Sequence, residues 1–228
     1  MPIYRLTDDI IFPGPELSEA DGFLAVGGDL SEERLLLAYS LGIFPWYSDG
    51  YPILWWSPDP RLILLPEELK VSRSLRQTMD KSQFSITLDA AFEKVIMSCA
   101  EVHRDKHADT WITADMIDAY IRLHKSGYAH SVEAWSEGEL AGGLYGVSLG
   151  GIFFGESMFA KKSNASKVAF VRLVRQLKIW GFVLIDCQVT TRHLISLGAK
   201  EPPRSEFLKT LRHSLKMPTR TGKWRFDQ

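Results

Sequence analysis

At 228 residues the chain is long enough for one large domain or two small ones, and a 45% hydrophobic composition supplies a proper core. Lys and Arg number 27 against 28 Asp and Glu, and the formal net charge of −1 excludes a globally basic nucleic-acid coat, leaving local patches only. Two cysteines, no hydrophobic N-terminal signal and no run near the ~20 apolar residues of a membrane span predict a cytoplasmic protein without a disulfide framework.

Residues 1–30 read as irregular, with Pro13, Pro15 and the pair Gly27-Gly28. Asp29 and Glu32 have the spacing of a capping box in its Asp variant, which predicts a helix through Tyr39 closed by Gly42. The segment 42–61, GIFPWYSDGYPILWWSPDPR, carries three tryptophans and four prolines, so it cannot be helix. Adjacent Trp55 and Trp56 read as a small aromatic core, whereas Trp46, between Pro45 and Tyr47, reads as presenting a face.

Residues 66–82 predict a helix with Leu69, Leu75 and Met79 inward and Arg73, Arg76 and Lys81 outward. A few cations on a helix are usually just a solvated face. A strand over 84–88 and a helix over 90–99 follow, then the charged segment HRDKHAD, 103–109, read as a loop. His103 and His107 are four apart but have no third ligand, so no metal site is expected there. Trp111 precedes a helix over 113–126 ended by Gly127, and it suits a core position and a stacking platform equally.

From Tyr128 the period changes to two. HSVEAW, a turn at 136–138, ELAGGLYGVSLGG and IFFGESMF predict a three-stranded meander, in which Gly142, Gly143, Gly146, Gly150 and Gly151 point to bulges or close backbone approach. Glu156 is the carboxylate of the last strand. Ser163 or Asn164 can cap the next helix and Gly181 ends it; its apolar positions 169, 170, 173, 174, 177 and 180 oppose Lys167, Arg172, Arg175 and Lys178. The run 182–189 then reads as an apolar strand bearing Asp186 and Gln188. Strand alternation places these two on one side, about 7 Å apart at Cα. A carboxylate and an amide on such a strand mark either the chemistry or a buried structural hydrogen bond. A short helix stopped by Gly198, a break at Pro202-Pro203, a helix over 205–215 and a basic tail complete the chain.

The second part thus runs helix, strand, helix, helix and then β-β-β-α-β-α, which resembles the GCN5-related N-acetyltransferase fold. The predicted class is α+β: a small N-terminal domain, 1–62, followed by an acetyltransferase-like catalytic domain, 63–228, with a mixed sheet. Those enzymes cradle the donor's pyrophosphate on a Gly-rich turn before the long helix. FAKKSNASK, the turn here, lacks the glycines, which argues for an acyl carrier other than coenzyme A.

The motifs GGDLS (27–31), GIFPW (42–46), LWWSPDPR (54–61), TWIT (110–113), HSVE (130–133), GGLYGV (142–147), GESMF (155–159), NASK (164–167) and LIDCQ (184–188) resemble the leucyl/phenylalanyl-tRNA–protein transferase family over nearly the whole chain. The resemblance implies transfer of Leu, and also Phe and Met, from aminoacyl-tRNA to the α-amino group of proteins beginning with Arg or Lys, which creates an N-degron. It implies a catalytic set of Asp186, Gln188 and Glu156, in which Asp186 polarises Gln188 and Gln188 orients or deprotonates the amine. Glu156 would recognise the acceptor's positive amino terminus. Trp46 and Trp111 would stack the terminal adenosine, and Arg73, Arg76 and Lys81 would meet the tRNA backbone, although Gln77 and Asp80 thin that patch. The acyl pocket would comprise Leu144, Met158, Phe170, Leu173, Leu177 and Ile185. No cofactor, no metal and no membrane are implied, and a monomer is expected.

The chemistry itself is undemanding. An α-amine with pKa near ~7.8 is about one-third free base at pH 7.5, so a strong base is unnecessary. Positioning two substrates can supply up to about 7–11 kcal/mol. Two rival readings are an acyltransferase of the same fold using acyl-CoA or another aminoacyl-tRNA, such as a peptidoglycan-bridge enzyme, and a non-enzymatic RNA-binding module. The Asp186-x-Gln188 pair argues against the latter.

Overall fold

The computed structural model describes residues 4–107 and 110–227, with the side chains of 103–107 excepted. The N-terminal part builds a four-stranded sheet from β1 (Tyr4–Leu6), β2 (Phe23–Gly27), β3 (Phe44–Pro45) and β4 (Leu54–Trp56), in the order β1-β2-β4-β3. Helix α1 (Glu32–Ser40) lies between β2 and β3. It starts later than the capping-box spacing predicts. Asp29 Oδ1 accepts the Ser31 amide at 2.7 Å in a local turn, and the cap falls to Ser31, whose Oγ accepts from the Arg34 amide. Trp55 is buried and its indole donates to the Gly27 carbonyl at 2.8 Å, while Trp56 is only half-buried.

The larger part begins with β5 (Leu62–Leu64). The helix expected over 66–82 is split into a single 3-10 turn at Pro66–Glu68 and α2 (Arg73–Asp80). The Lys70 amide bonds to the Leu197 carbonyl at 2.8 Å, which pulls this stretch out of helix, and Ser72 caps a fresh start by accepting from the Leu75 amide. Next come β6 (Ser85–Leu88), α3 (Phe92–His107) and α4 (Ala114–Lys125). Helix α3 continues through most of the segment read as a charged loop. The side chains of His103 and His107 lie outside the described residues.

The meander is present as β7 (Ala129–Ser136), β8 (Glu139–Leu149) and β9 (Ile152–Ala160), followed by α5 (Ala165–Ile179), β10 (Leu184–Gln188), α6 (Arg192–Ser196) and α7 (Arg204–Ser214). Asn164 precedes α5 in the left-handed region, φ 65°, without a side-chain cap; its amide nitrogen turns to Thr78 Oγ1 instead. Strands β5 to β10 form one mixed sheet in the order β5-β10-β9-β8-β7-β6, parallel only between β9 and β10. The single parallel pair goes with the α5 connection, because adjacent parallel strands need a crossover that returns over the sheet.

Helices α3 and α4 pack on one face of this sheet, and α2 and α5 occupy the other. The first core is continuous with Leu24, Tyr39 and Trp55 of the N-terminal part, so the two parts share one hydrophobic interior. On the α5 face the tail returns: Trp224, 2% exposed, stacks on the His130 ring at 3.7 Å, and its amide donates to Asp89. The α+β mixture therefore holds. No helix among the described residues is long and apolar enough to cross a membrane.

Candidate active site

Two β-bulges decide where the polar side chains point. In the β8–β9 ladder Tyr145 pairs with Ser157 and Gly146 with Gly155, so Glu156 is the extra residue. Along β10, Asp186 faces Ile63 but Gln188 faces Leu62, so Cys187 is extra and Gln188 adopts φ 60°. A bulge re-aims the residues after it. Asp186 and Gln188 therefore leave the common side that plain alternation predicts: Gln188 lines the cavity described below, and Asp186 does not.

Asp186 is fully buried beside Arg61, which the motifs alone do not assign to the site. Arg61 Nε donates to Oδ1 at 2.8 Å and Arg61 Nη2 to Oδ2 at 2.6 Å, a bidentate pair. The guanidinium, 1% exposed, sits between the rings of Phe44 and Phe207, 4.8 Å from each centroid. Asp186 Oδ1 also accepts the Gln188 backbone amide at 2.9 Å. The carboxylate thus holds the backbone of Gln188 rather than polarising its side chain. One signal for Arg61 existed in the sequence: a buried carboxylate needs a cation, and Arg61 stands at the mouth of the apolar run 62–65.

Gln188 turns its amide to Glu156 instead. Glu156 Oε1 accepts from Gln188 Nε2 at 2.7 Å and from the Tyr39 hydroxyl at 2.8 Å, and Oε2 accepts from the Tyr120 hydroxyl at 3.1 Å. The hydroxyls of Tyr39 and Tyr120 also touch each other. Burial pushes the Glu156 carboxyl up to about 7; the bonds from Tyr39, Tyr120 and Gln188 oppose this, and the charge of Asp186 reinforces it. Nothing in the sequence marked Tyr39 or Tyr120, which stand on helices more than thirty residues from Glu156 in the chain.

These groups open onto a cavity of about 390 Å³. Leu144, Met158, Phe170 and Ile185 form its apolar wall, and Phe44, Pro45, Trp46 and Trp111 its aromatic side. Trp46 is 42% exposed, its backbone carbonyl held by the Trp56 indole at 2.7 Å. Leu173 and Leu177 do not reach the cavity; they are fully buried in the core on the α5 side, one and two turns beyond Phe170. Arg73, Arg76 and Lys81 are exposed on or beside α2, which packs on α5, and none lines the cavity. Thr191, His193 and Leu194 close the remaining end; burial and the charge of Lys167 hold the His193 pKa below its usual value. Among the described residues, no group of three or more His, Cys, Asp or Glu is gathered as a metal would require.

Such a cavity, apolar with a few convergent polar groups, is the usual form of a small-ligand site. Sequence comparison fits it to a known family. The family model described as leucyl/phenylalanyl-tRNA protein transferase matches residues 63–212, and the N-terminal domain of the same family matches 28–59. The chain is 59% identical to the leucyl/phenylalanyl-tRNA–protein transferase of Desulfatibacillum aliphaticivorans over 100% of its own length and 97% of that protein's. Against the Syntrophobacter fumaroxidans enzyme of the same name it is 61% identical over 94% and 92%, and against that of Myxococcus xanthus 57% over 98% and 97%. With both family models and full-length relatives in agreement, the chain belongs to the leucyl/phenylalanyl-tRNA–protein transferase family.

Proposed function

We propose that the chain is an aminoacyltransferase that moves Leu, and also Phe and Met, from aminoacyl-tRNA to the α-amino group of proteins beginning with Arg or Lys. The product marks those proteins for degradation. One observation carries the reading: a single cavity joins an apolar wall, an aromatic side and the Glu156–Gln188 pair. The wall suits the acyl side chain, and the tryptophans suit the terminal adenine. Gln188 spends its amide nitrogen on Glu156, which leaves its carbonyl oxygen to orient the attacking amine. Asp186 and Arg61 fix the strand end that carries Gln188.

The fold is read as GCN5-related N-acetyltransferase-like from residue 63, after a small domain over 1–62. The parallel pairing of β9 with β10 supports this: it spans only 152–154 against 184–186, beyond which the bulges let the strands part and the cavity enter. The family models, meeting between 59 and 63, support the division.

Incubating the protein with Leu-tRNA and an Arg-initiated protein should give N-terminally leucylated product, detected by mass spectrometry. No transfer would sink the reading. With one tRNA body carrying different amino acids, Leu, Met and Phe should all be used. An apolar wall discriminates by only about 1–3 kcal/mol per methylene. Ile and Val, branched at Cβ, should be poor, and equal transfer of Ile and Leu would place the acyl group elsewhere.

Trp46→Ala should weaken use of aminoacyl-tRNA by about 1–3 kcal/mol, the loss of one base stack, with an unchanged melting temperature because the ring is exposed. Trp111 is half-buried and packs on the first core, so Trp111→Ala should lower both donor use and stability. Normal donor use by both variants would remove the tryptophans from the adenosine site.

A further inference from the structure

Amide formation must move one proton, and two side chains with a basic form line the cavity: His193, which closes one end, and Glu156, which bonds the Gln188 side chain that orients the amine. Attack of a neutral α-amine on the ester carbonyl forms the C–N bond and leaves the nitrogen with one proton too many. The ribose 3′-oxygen then departs with the bonding pair, one proton short. Asp186 is spent: Arg61 bonds both of its oxygens, the Gln188 amide takes a further site, and the side chain does not line the cavity. An amide such as Gln188 is far too weak a base.

Glu156 differs in each respect. It lines the cavity and has no cationic partner among its three bonded neighbours. A carboxylate has about four lone-pair sites. Oε1 receives two of the bonds described and Oε2 one, so Oε2 keeps a site for an amine N–H. The two tyrosine bonds, one to each oxygen, fix the carboxylate from α1 and α4. We propose that Glu156 takes the proton of the attacking α-amine and returns it to the departing ribose 3′-oxygen, with Tyr39 and Tyr120 as positioning residues. This assignment rests on the aminoacyl-transfer reading above. The step balances without another reactant: nitrogen loses the proton, the 3′-oxygen gains it, and Glu156 ends as it began.

The groups around the carboxylate support a carrier whose proton is neither too loose nor too tight. Tyr39, Tyr120 and Tyr145 surround it, with Cys99 beyond Tyr145, and the Asp186–Arg61 pair lies on β10's side. Burial raises the pKa of all three phenols above the usual range, so they stay neutral, and Tyr39 and Tyr120 remain donors to the carboxylate. A general base is most effective with a pKa near the working pH, where burial puts Glu156.

The test is single-turnover transfer from Leu-tRNA to an Arg-initiated peptide between pH 5.5 and 9, at saturating substrates. Glu156→Gln should lower the high-pH plateau by about 10²-fold or more, the usual scale for losing such a group. Tyr39→Phe and Tyr120→Phe each remove a hydrogen bond to the charged carboxylate. The acid limb should therefore move to higher pH, furthest in the double variant, whatever the height of the plateau. The acceptor amine titrates near ~7.8 by itself, but that limb cannot move with an enzyme variant. A limb fixed in every tyrosine variant, or a Glu156→Gln plateau within tenfold of wild type, overturns the assignment. Should the tyrosine variants not fold, the isosteric Glu156→Gln plateau decides. Absence of transfer by the wild-type chain would instead sink the aminoacyl-transfer reading.

Discussion

Asp186→Ala is expected to cost about 3–5 kcal/mol of folding stability, because it leaves the Arg61 guanidinium buried without its counter-charge. At roughly 2–4 °C per kcal/mol for a chain of this size, melting should fall by about 6–20 °C. A loss confined to the chemical step, which strand alternation alone would suggest, is not the outcome that the geometry supports. Arg61→Ala should cost a similar amount, since it strands the carboxylate. The double variant Arg61→Met, Asp186→Leu should recover much of the stability, because a buried ion pair is often matched by well-packed apolar residues. It should nonetheless transfer poorly, having lost the bond that the Gln188 backbone amide donates to Asp186. Thermal melts of the four proteins test this order. An Asp186→Ala protein melting within 2 °C of wild type would show that Arg61 escapes to water.

Most elements were legible because their signals are local. The helix expected from 113 begins at Ala114 behind a Thr113 cap, and Gly127 and Gly181, both at positive φ, follow the helices that their type predicts they end. The period-two pattern from Tyr128 became β7, β8 and β9. Errors arose where a distant partner outbid local preference. The Leu197 carbonyl broke the helix expected over 66–82, and Thr78 drew Asn164 away from its cap.

The site divides the same way. Glu156, Asp186 and Gln188 stood out as polar residues in apolar strands, and four of six expected wall residues line the cavity. A helical stripe continues past the cavity into the core, however, and spacing, which cannot say where the cavity stops, groups Leu173 and Leu177 with Phe170. Arg61, Tyr39 and Tyr120 reach the site from remote elements and carry no spacing signal toward it. The bulges are the deeper reason. One extra residue on β10 reverses the direction of Gln188, and alternation, which assumes a regular ladder, predicts the opposite.

Gly146→Ala should therefore damage folding and chemistry together. A Cβ at Gly146 would lie 2.2 Å from the Phe154 carbonyl oxygen and 2.6 Å from the Phe153 ring. Neither can withdraw: Phe154 is fully buried and pairs with Asp186, and the Phe153 ring is packed near Trp224. Overpacking of this kind typically costs about 1–3 kcal/mol, and here the clash falls on backbone. Relief requires β9 to move from β8 at the bulge that aims Glu156. A 1 Å displacement of a reacting group can cost about 10²-fold, so transfer by the folded fraction should fall at least tenfold. Gly155→Ala, next to Glu156 in the chain, is the control: its Cβ would meet only the Asp186 carbonyl oxygen at 3.5 Å, an ordinary contact. Its melting temperature should match wild type. Melts and single-turnover transfer on both variants decide the matter. A Gly146→Ala protein that melts and transfers like wild type would mean that the bulge does not aim Glu156.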